Sequence, residues 1–158
     1  MSRTAKVLSL VAVIALAMLP ALAGAADAPK AKMAAHPAVD KPVVWPADQL
    51  KWVDAAGAPP GVKMAVLWGD PTKGAYGMLQ RFPAGFKAPM HTHSSDLRCV
   101  VLSGTLIHGE MGGKETKLPP GSYLVTPRTE HHTTECAAGA DCVVFIHATG
   151  KFDVVMDK

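Results

Sequence analysis

The chain has 158 residues, of which 49% are hydrophobic, 18% charged and 6% aromatic, and these values fit a single globular domain. The formal net charge is +3, from 16 Lys and Arg against 13 Asp and Glu. Arg3 and Lys6 belong to an N-terminal leader, and without these two the balance is 14 against 13. A chain so close to neutral gives no basis for a nucleic-acid partner, which we therefore exclude.

The first residues have the composition of a secretory signal peptide. Arg3 and Lys6 form a short basic region, the apolar run Val7–Ala23 follows, and an Ala-Gly-Ala cleavage pattern closes it. We predict removal of residues 1–25, a periplasmic or secreted location, and no stable membrane anchor afterwards. The alternative is an uncleaved anchor, which the short run and Pro20 near its end disfavour.

Residues 26–44 are rich in Ala, Lys and Pro and have no apolar period, so we predict a flexible leader before a single domain at residues 45–158. In that domain Gly and Pro separate short apolar runs at intervals of about 8–12 residues, and no run has sustained helical periodicity. This pattern predicts an all-β barrel or sandwich. In chain order the predicted strands are Val62–Trp68, Ala75–Phe82, Cys99–Gly104, Thr105–Glu110, Ser122–Pro127, Cys142–Ala148 and the short Lys151–Val155.

Three cysteines are present, and secretion makes a disulfide possible. Cys136 and Cys142 flank a short turn-like segment, and we expect them to bridge, with a stabilisation of about 2 kcal/mol for so short a loop. Cys99 lies in an apolar run and is expected to be a buried free thiol; the alternative is a cysteine ligand or nucleophile. The two other pairings stay open at this point.

The segment between Gly85 and Gly104 contains His91 and His93, two residues apart. In an extended strand such residues point to the same face, so both imidazoles can aim at one point. Imidazole is the commonest metal-donating side chain, and two on one face make half a site. The alternative is a pair of exposed polar residues on a loop.

Two stretches of this chain resemble the sequence motifs of the cupin family. Gly85, five residues, His91–His93 and an apolar strand ending at Gly104 resemble the first motif. A Pro-Gly turn followed by Pro127, four residues and His132 resembles the second. The order of the two motifs and the gap between them also match, and the resemblance covers most of the chain after the leader.

The resemblance implies a double-stranded β-helix (jelly-roll) barrel with a divalent transition metal in its mouth. Carried over residue by residue, it assigns the ligand positions to His91, His93 and His132. His131 and His132 are adjacent, so in a strand only one can face the site, and the spacing from Pro127 favours His132. Fe, Mn, Zn, Ni and Cu all remain candidates, because imidazole ligands alone do not choose among them.

The sequence departs from the family at the fourth ligand, a carboxylate. Leu97 stands where the family's Glu is expected, and the adjacent Asp96 would need a one-residue slip to turn inward. We therefore treat Asp96 as a candidate fourth ligand, with loop capping or a solvated position as the alternative. The main expectation is a site of three neutral imidazoles, which leaves the full charge of the ion for an anionic ligand or hydroxide.

Other polar residues are candidates for a place around the site. His147 on the last long strand is a candidate cavity residue, with a core or surface position as the alternative. Tyr123 and Arg98 are candidate substrate-orienting groups, with packing or a surface ion pair as the alternative. His108 precedes a glycine at a predicted turn and is expected to be exposed.

These observations predict a secreted metal-binding cupin that acts on or binds a small molecule, such as a three-His metal-dependent dioxygenase or an isomerase-type enzyme. The alternatives are a non-catalytic cupin that binds or senses a metal or small ligand, and a metal-free structural cupin. Whether the protein is an enzyme stays open, since fold alone gives no activity. A homodimer formed through barrel edges is a further expectation from the resemblance.

Overall fold

A computed structural model of the protein describes residues 40–158. Within them eleven short strands and one 3-10 helix follow one another, so the all-β prediction is confirmed. The elements are the 3-10 helix Ala47–Gln49 and the strands β1 (Val53–Asp54), β2 (Lys63–Gly69), β3 (Tyr76–Phe82), β4 (Lys87–Thr92), β5 (Leu97–Ser103), β6 (Leu106–Glu110), β7 (Glu115–Leu118), β8 (Tyr123–Thr126), β9 (His132–Cys136), β10 (Cys142–Ala148) and β11 (Val155–Met156).

The predicted signal peptide, residues 1–25, and residues 26–39 of the predicted leader lie outside the described residues. The rest of that leader, residues 40–44, is exposed and contains no helix or strand. Pro42–Lys158 form one compact unit, which includes the domain predicted at residues 45–158. In the described part of the chain no helix is long and apolar enough to cross a membrane.

The strands form two antiparallel sheets. The six-stranded sheet has the order β1-β2-β3-β10-β5-β8, and the five-stranded sheet has the order β11-β4-β9-β6-β7. Neighbouring strands come from distant parts of the chain, as β3 and β10 do, which is typical of a jelly roll. In the second sheet β4 pairs with β9, and this pairing sets His91 directly opposite His132.

The core lies between the sheets because side chains alternate in burial along each strand. In β5 and β10 every second residue is buried for most of the strand's length. Buried side chains of these two strands include Leu97, Cys99, Val101, Val144 and Ile146. Burying each Leu, Val or Ile side chain among them contributes roughly 1.5–3 kcal/mol. The same alternation decides which polar residues of these strands reach the interior.

The predicted disulfide joins Cys136, at the end of β9, to Cys142, at the start of β10, with the two Cα atoms 5.7 Å apart. It therefore connects one sheet to the other through a short loop. Cys99 is free and buried, as predicted. Burial raises the pKa of the Cys99 thiol to about 12, so the thiol is protonated and unreactive at neutral pH.

Replacing both Cys136 and Cys142 with serine is expected to lower the free energy of unfolding by about 2 kcal/mol, because the short loop is no longer closed in the unfolded chain. Urea denaturation of the variant and the wild type measures the difference. Reductant serves as the control, since it should bring the wild type to the stability of the variant and leave the variant unchanged. Equal midpoints for all four samples would contradict the prediction.

Gly104 directly follows β5, at a position where the backbone conformation and the space both favour glycine. Its φ is +71°, and a Cβ built there would lie 2.6 Å from the Asp141 carbonyl oxygen. Gly85 also has a positive φ of +76° but has open space around its Cβ position. We expect Gly85→Ala to cost about 1 kcal/mol and Gly104→Ala roughly 2–4 kcal/mol, because only the second adds a clash to the backbone strain. Chemical denaturation measures the free energy of unfolding of both variants, and an equal loss in the two would show that the clash at residue 104 contributes nothing.

Candidate metal centre

Three buried histidines come together at strands β4 and β9 of the five-stranded sheet. His91 lies near the end of β4, and His93 directly follows that strand. His132 is the first residue of β9, which pairs with β4. Their side chains are buried, and their candidate ligand atoms all lie within 4.8 Å of one another. The ring of His91 is 4.3 Å from that of His132 and 5.0 Å from that of His93, between centroids. The geometry thus brings together the three residues that the sequence assigned to a metal.

A backbone carbonyl fixes each of these rings. The acceptors are Pro89 for His91 at 2.8 Å, Asp153 for His93 at 2.5 Å, and Glu130 for His132 at 3.0 Å, each from the ring Nδ1. A carbonyl oxygen only accepts, so Nδ1 carries the proton in all three rings. The lone pair of each neutral ring is therefore on Nε2, the arrangement that metal-ligating histidines commonly have.

Burial keeps two of the three imidazoles, those of His93 and His132, neutral. Desolvation lowers the pKa of His93, and it lowers the pKa of His132 to about 4, with neighbouring imidazoles adding to the effect. Both rings are therefore neutral at pH 7. A metal ion requires the neutral imidazole, so these rings need lose no proton to bind one.

His131 points away from this group, as the alternation of β-strand side chains predicts. Its ring is partly exposed, and its Nδ1 lies 2.8 Å from the carboxylate of Asp157. His132, the next residue, is 2% exposed. The assignment of the second motif's ligand position to His132 rather than His131 therefore agrees with the burial of the two side chains.

The carboxylate of Asp96 is not brought to the three histidines. Its Oδ1 accepts a hydrogen bond from the backbone N–H of Arg128 at 2.9 Å, and the Arg128 Nε lies 3.5 Å away. These contacts are those of a loop cap, the alternative that the sequence left open. The side chain of Leu97, which is 4% exposed, lines the interior cavity instead.

Three other candidates lie on the outer face of the six-stranded sheet. Arg98 of β5 pairs with His147 of β10, and neither residue lines the interior cavity. The ring of His147 lies 5.5 Å from that of Trp68. Tyr123 is 60% exposed. Each alternates with an inward-facing neighbour, so strand geometry directs these side chains away from the three histidines.

His108, which the sequence predicted to be exposed, is buried at 6% exposure, and that prediction is wrong. The chain does not turn at the following glycine; β6 continues to Glu110. The His108 ring lies 5.2 Å from that of His132, and its Nδ1 is buried without a hydrogen-bond partner within residues 40–158. An unsatisfied buried polar atom costs about 1–3 kcal/mol. Leu106 and His108 are two residues apart on one strand and therefore share a face, and this spacing was the signal for the inward position of His108.

The C-terminal segment supports the site from outside the two motifs. Its strand β11 pairs with β4, with Met156 opposite His91. The carboxylate of Asp153 accepts hydrogen bonds from the Ser94 backbone N–H at 2.9 Å and from the Ser94 hydroxyl at 2.5 Å. The ring of Phe152 lies 5.7 Å from that of His93. This segment therefore holds His93 in two ways, through the backbone carbonyl of Asp153 and through the packing of the Phe152 ring.

A cavity of about 500 Å³ opens onto the three histidines, a volume typical of small-molecule sites. Its wall is mainly apolar, and its few other polar side chains include Gln80, Thr126 and Thr134. Lys87 also lines it, but its ammonium group is 2.8 Å from the carboxylate of Glu135. The cavity suits a compact, largely apolar molecule with few polar groups.

The family model described as Domain of unknown function (DUF4437) matches residues 25–155. No curated protein matches the chain.

Several solved structures have a similar fold. The polyketide cyclase RemF from Streptomyces resistomycificus is 18% identical, with a TM-score of 0.59 over 68% of this chain and 80% of that one. An RmlC-like cupin from Ralstonia eutropha is 21% identical, with a TM-score of 0.59 over 71% of each chain. The DMSP lyase DddQ from Ruegeria pomeroyi is 18% identical, with a TM-score of 0.53 over 65% of this chain and 57% of that one. These likenesses confirm the predicted double-stranded β-helix.

Proposed function

The chain belongs to the family described as Domain of unknown function (DUF4437) and has the cupin fold, and from this premise we propose that it binds a divalent transition metal through His91, His93 and His132. One observation carries the proposal. All three Nδ1 atoms are bound to backbone carbonyls, which leaves three Nε2 lone pairs in one buried group. This donor set fits Fe, Mn, Zn, Ni or Cu, the metals expected from the sequence.

The second part of the proposal is a small-molecule ligand in the adjoining cavity. A metal bound here would polarise an oxygen atom of that molecule as a Lewis acid. The residues of the chain would contribute an apolar wall that excludes water and a few polar groups, such as Gln80 and Thr126, that orient the molecule. The cyclase and the lyase with this fold, whose names refer to small molecules, support the same class of ligand.

We propose that the protein acts on or binds this small molecule, and an enzyme of the dioxygenase or isomerase type is the first candidate. A non-catalytic cupin that binds or senses a metal or small ligand is the second candidate. Two observations favour the second: Leu97 replaces the expected carboxylate, and the carboxylate of Asp153 is already engaged by Ser94. A reaction that needs residue 97 or Asp153 to act as a carboxylate base at the cavity is therefore disfavoured.

The periplasm or the exterior of the cell remains the proposed location. The disulfide between Cys136 and Cys142 supports it, because such bonds persist in oxidising compartments. A homodimer remains a prediction, which light scattering of the purified protein would test.

Metal analysis of the protein purified without a polyhistidine tag tests the proposal. The protein is stripped with a chelator, reconstituted separately with Fe(II), Mn, Zn, Ni and Cu, desalted, and its metal-to-protein ratio is measured. We expect stoichiometric retention of at least one of these metals. Absence of stoichiometric metal under every condition would refute the proposal.

An activity assay of the metal-loaded protein distinguishes the enzyme hypothesis from the binding-protein hypothesis. Oxygen consumption and product formation are measured with the Fe(II) protein across thiols, diketones and sugar acids, with the chelated protein as control. Metal-dependent turnover of any of these supports the enzyme. Saturable ligand binding without turnover supports the second candidate.

A further inference from the structure

A second group of metal-binding side chains lies beside the three histidines. It consists of His108 and Glu110 on β6 and Glu130 just before β9, and their candidate ligand atoms lie within 4.8 Å of one another. Residues 108 and 110 share one face of β6, and the strand register sets Glu110 opposite His132. We propose that these three residues bind a second divalent cation, independently of the three-histidine site.

The distance between His108 and Glu130 fits a shared ion. The His108 Nε2 lies 3.4 Å from the Glu130 Oε1. A direct charge-assisted hydrogen bond would be shorter, about 2.7–2.9 Å. Two ligand atoms that are each about 2.1 Å from a tetrahedral ion lie about 3.4 Å apart. The observed separation matches the one expected for two ligands of one cation.

The ring of His108 has unmet bonding capacity. Its side chain is 7% exposed, and among the described residues its Nδ1 has no hydrogen-bond partner. Its Nε2 faces Glu130 at a distance too long for a strong hydrogen bond, and a cation at Nε2 would give this ring the strong contact that a buried polar side chain normally has.

The charges of the group favour a divalent ion. Glu110 and Glu130 place two carboxylates within 4.8 Å of each other, and their repulsion is relieved by a cation between them. Glu110 is exposed and the side chain of Glu130 is 27% exposed, which gives the ion a path from solvent. One imidazole and two carboxylates are suitable donors for Zn²⁺ or Mn²⁺.

Metal stoichiometry of defined variants tests this site. The untagged protein is stripped with a chelator, loaded with Zn²⁺ or separately with Mn²⁺, desalted, and assayed for metal against protein concentration. We expect two ions per chain in the wild type and one in Glu130→Gln or Glu110→Gln. The Glu130→Gln variant preserves the backbone carbonyl that accepts from His132, so the three-histidine site is left intact.

Two controls separate this site from the first. Glu115→Gln, at an exposed carboxylate on β7, should retain two ions. A His91→Ala, His93→Ala double variant should retain one ion, which Glu130→Gln then removes. A wild type that binds one ion, with Glu130→Gln unchanged, would overturn the second site and leave a bare ion pair. If the double variant instead keeps the wild-type content, the proposed first site fails, and Glu130→Gln alone still decides the second.

Discussion

Replacing His132 with alanine is expected to remove one bound metal ion per chain, whereas replacing the adjacent His131 leaves the metal content unchanged. The reason is orientation. His132 is buried beside His91 and His93, and His131 faces Asp157 on the other side of the strand. Losing one of three ligands should weaken the affinity by more than about 100-fold, because loss of an outer partner alone costs 10–100-fold. Titration with Zn²⁺ by calorimetry measures the change.

The His131→Ala variant is the matched control, since the two substitutions remove the same side chain from neighbouring positions. Circular dichroism of both metal-free variants checks that each is folded. The reverse pattern, with metal lost in His131→Ala and kept in His132→Ala, would show that the ligand register of β9 is displaced by one residue.

Replacing Leu97 with glutamate is expected to make the stability of the protein depend on metal. The residue is 4% exposed and lines the cavity that opens onto the three histidines. Without metal a buried, unpaired carboxylate should cost about 3–5 kcal/mol, which corresponds to a fall in Tm of roughly 10 °C or more. With metal bound, the carboxylate occupies the position where the cupin resemblance expects a fourth ligand, and most of the loss should be recovered.

Thermal unfolding of Leu97→Glu with and without Zn²⁺ measures this effect. Leu97→Gln is the control, because it has the same size and polarity without the charge and should gain no more from Zn²⁺ than the wild type does. A Leu97→Glu protein that is equally unstable with and without the ion would show that residue 97 lies too far from the three histidines to act as a ligand.

The all-β class was predictable because its determinants are local, whereas the double-stranded β-helix was implied by the resemblance to the cupins. Gly and Pro at the turns and the alternation of apolar residues in strands such as β5 and β10 appear directly in the sequence. The disulfide was predictable for the same reason, since Cys136 and Cys142 are separated by only six positions. Strand geometry showed that only one of His131 and His132 can face inward, and the spacing from Pro127 in the second motif favoured His132.

The remaining features of the site depend on contacts between distant residues. The carbonyl of Asp153 accepts from His93 across 60 positions, and no local pattern predicts that contact. The burial of His108 was missed because the glycine after it was interpreted as a turn, whereas the pairing of β6 with β7 and β9 extends the strand through it. Tertiary pairing overrode the local turn preference there.

The support of His93 by the last residues of the chain has a practical consequence for purification. Asp153 and Phe152 contact that ring, and Met156 pairs with His91, so the segment that precedes residue 157 is part of the site's frame. A fusion appended behind Lys158 would begin shortly after this frame. A polyhistidine fusion there would also bring extra imidazoles close to the metal ligands. Recombinant protein intended for metal work should therefore carry no polyhistidine fusion behind Lys158.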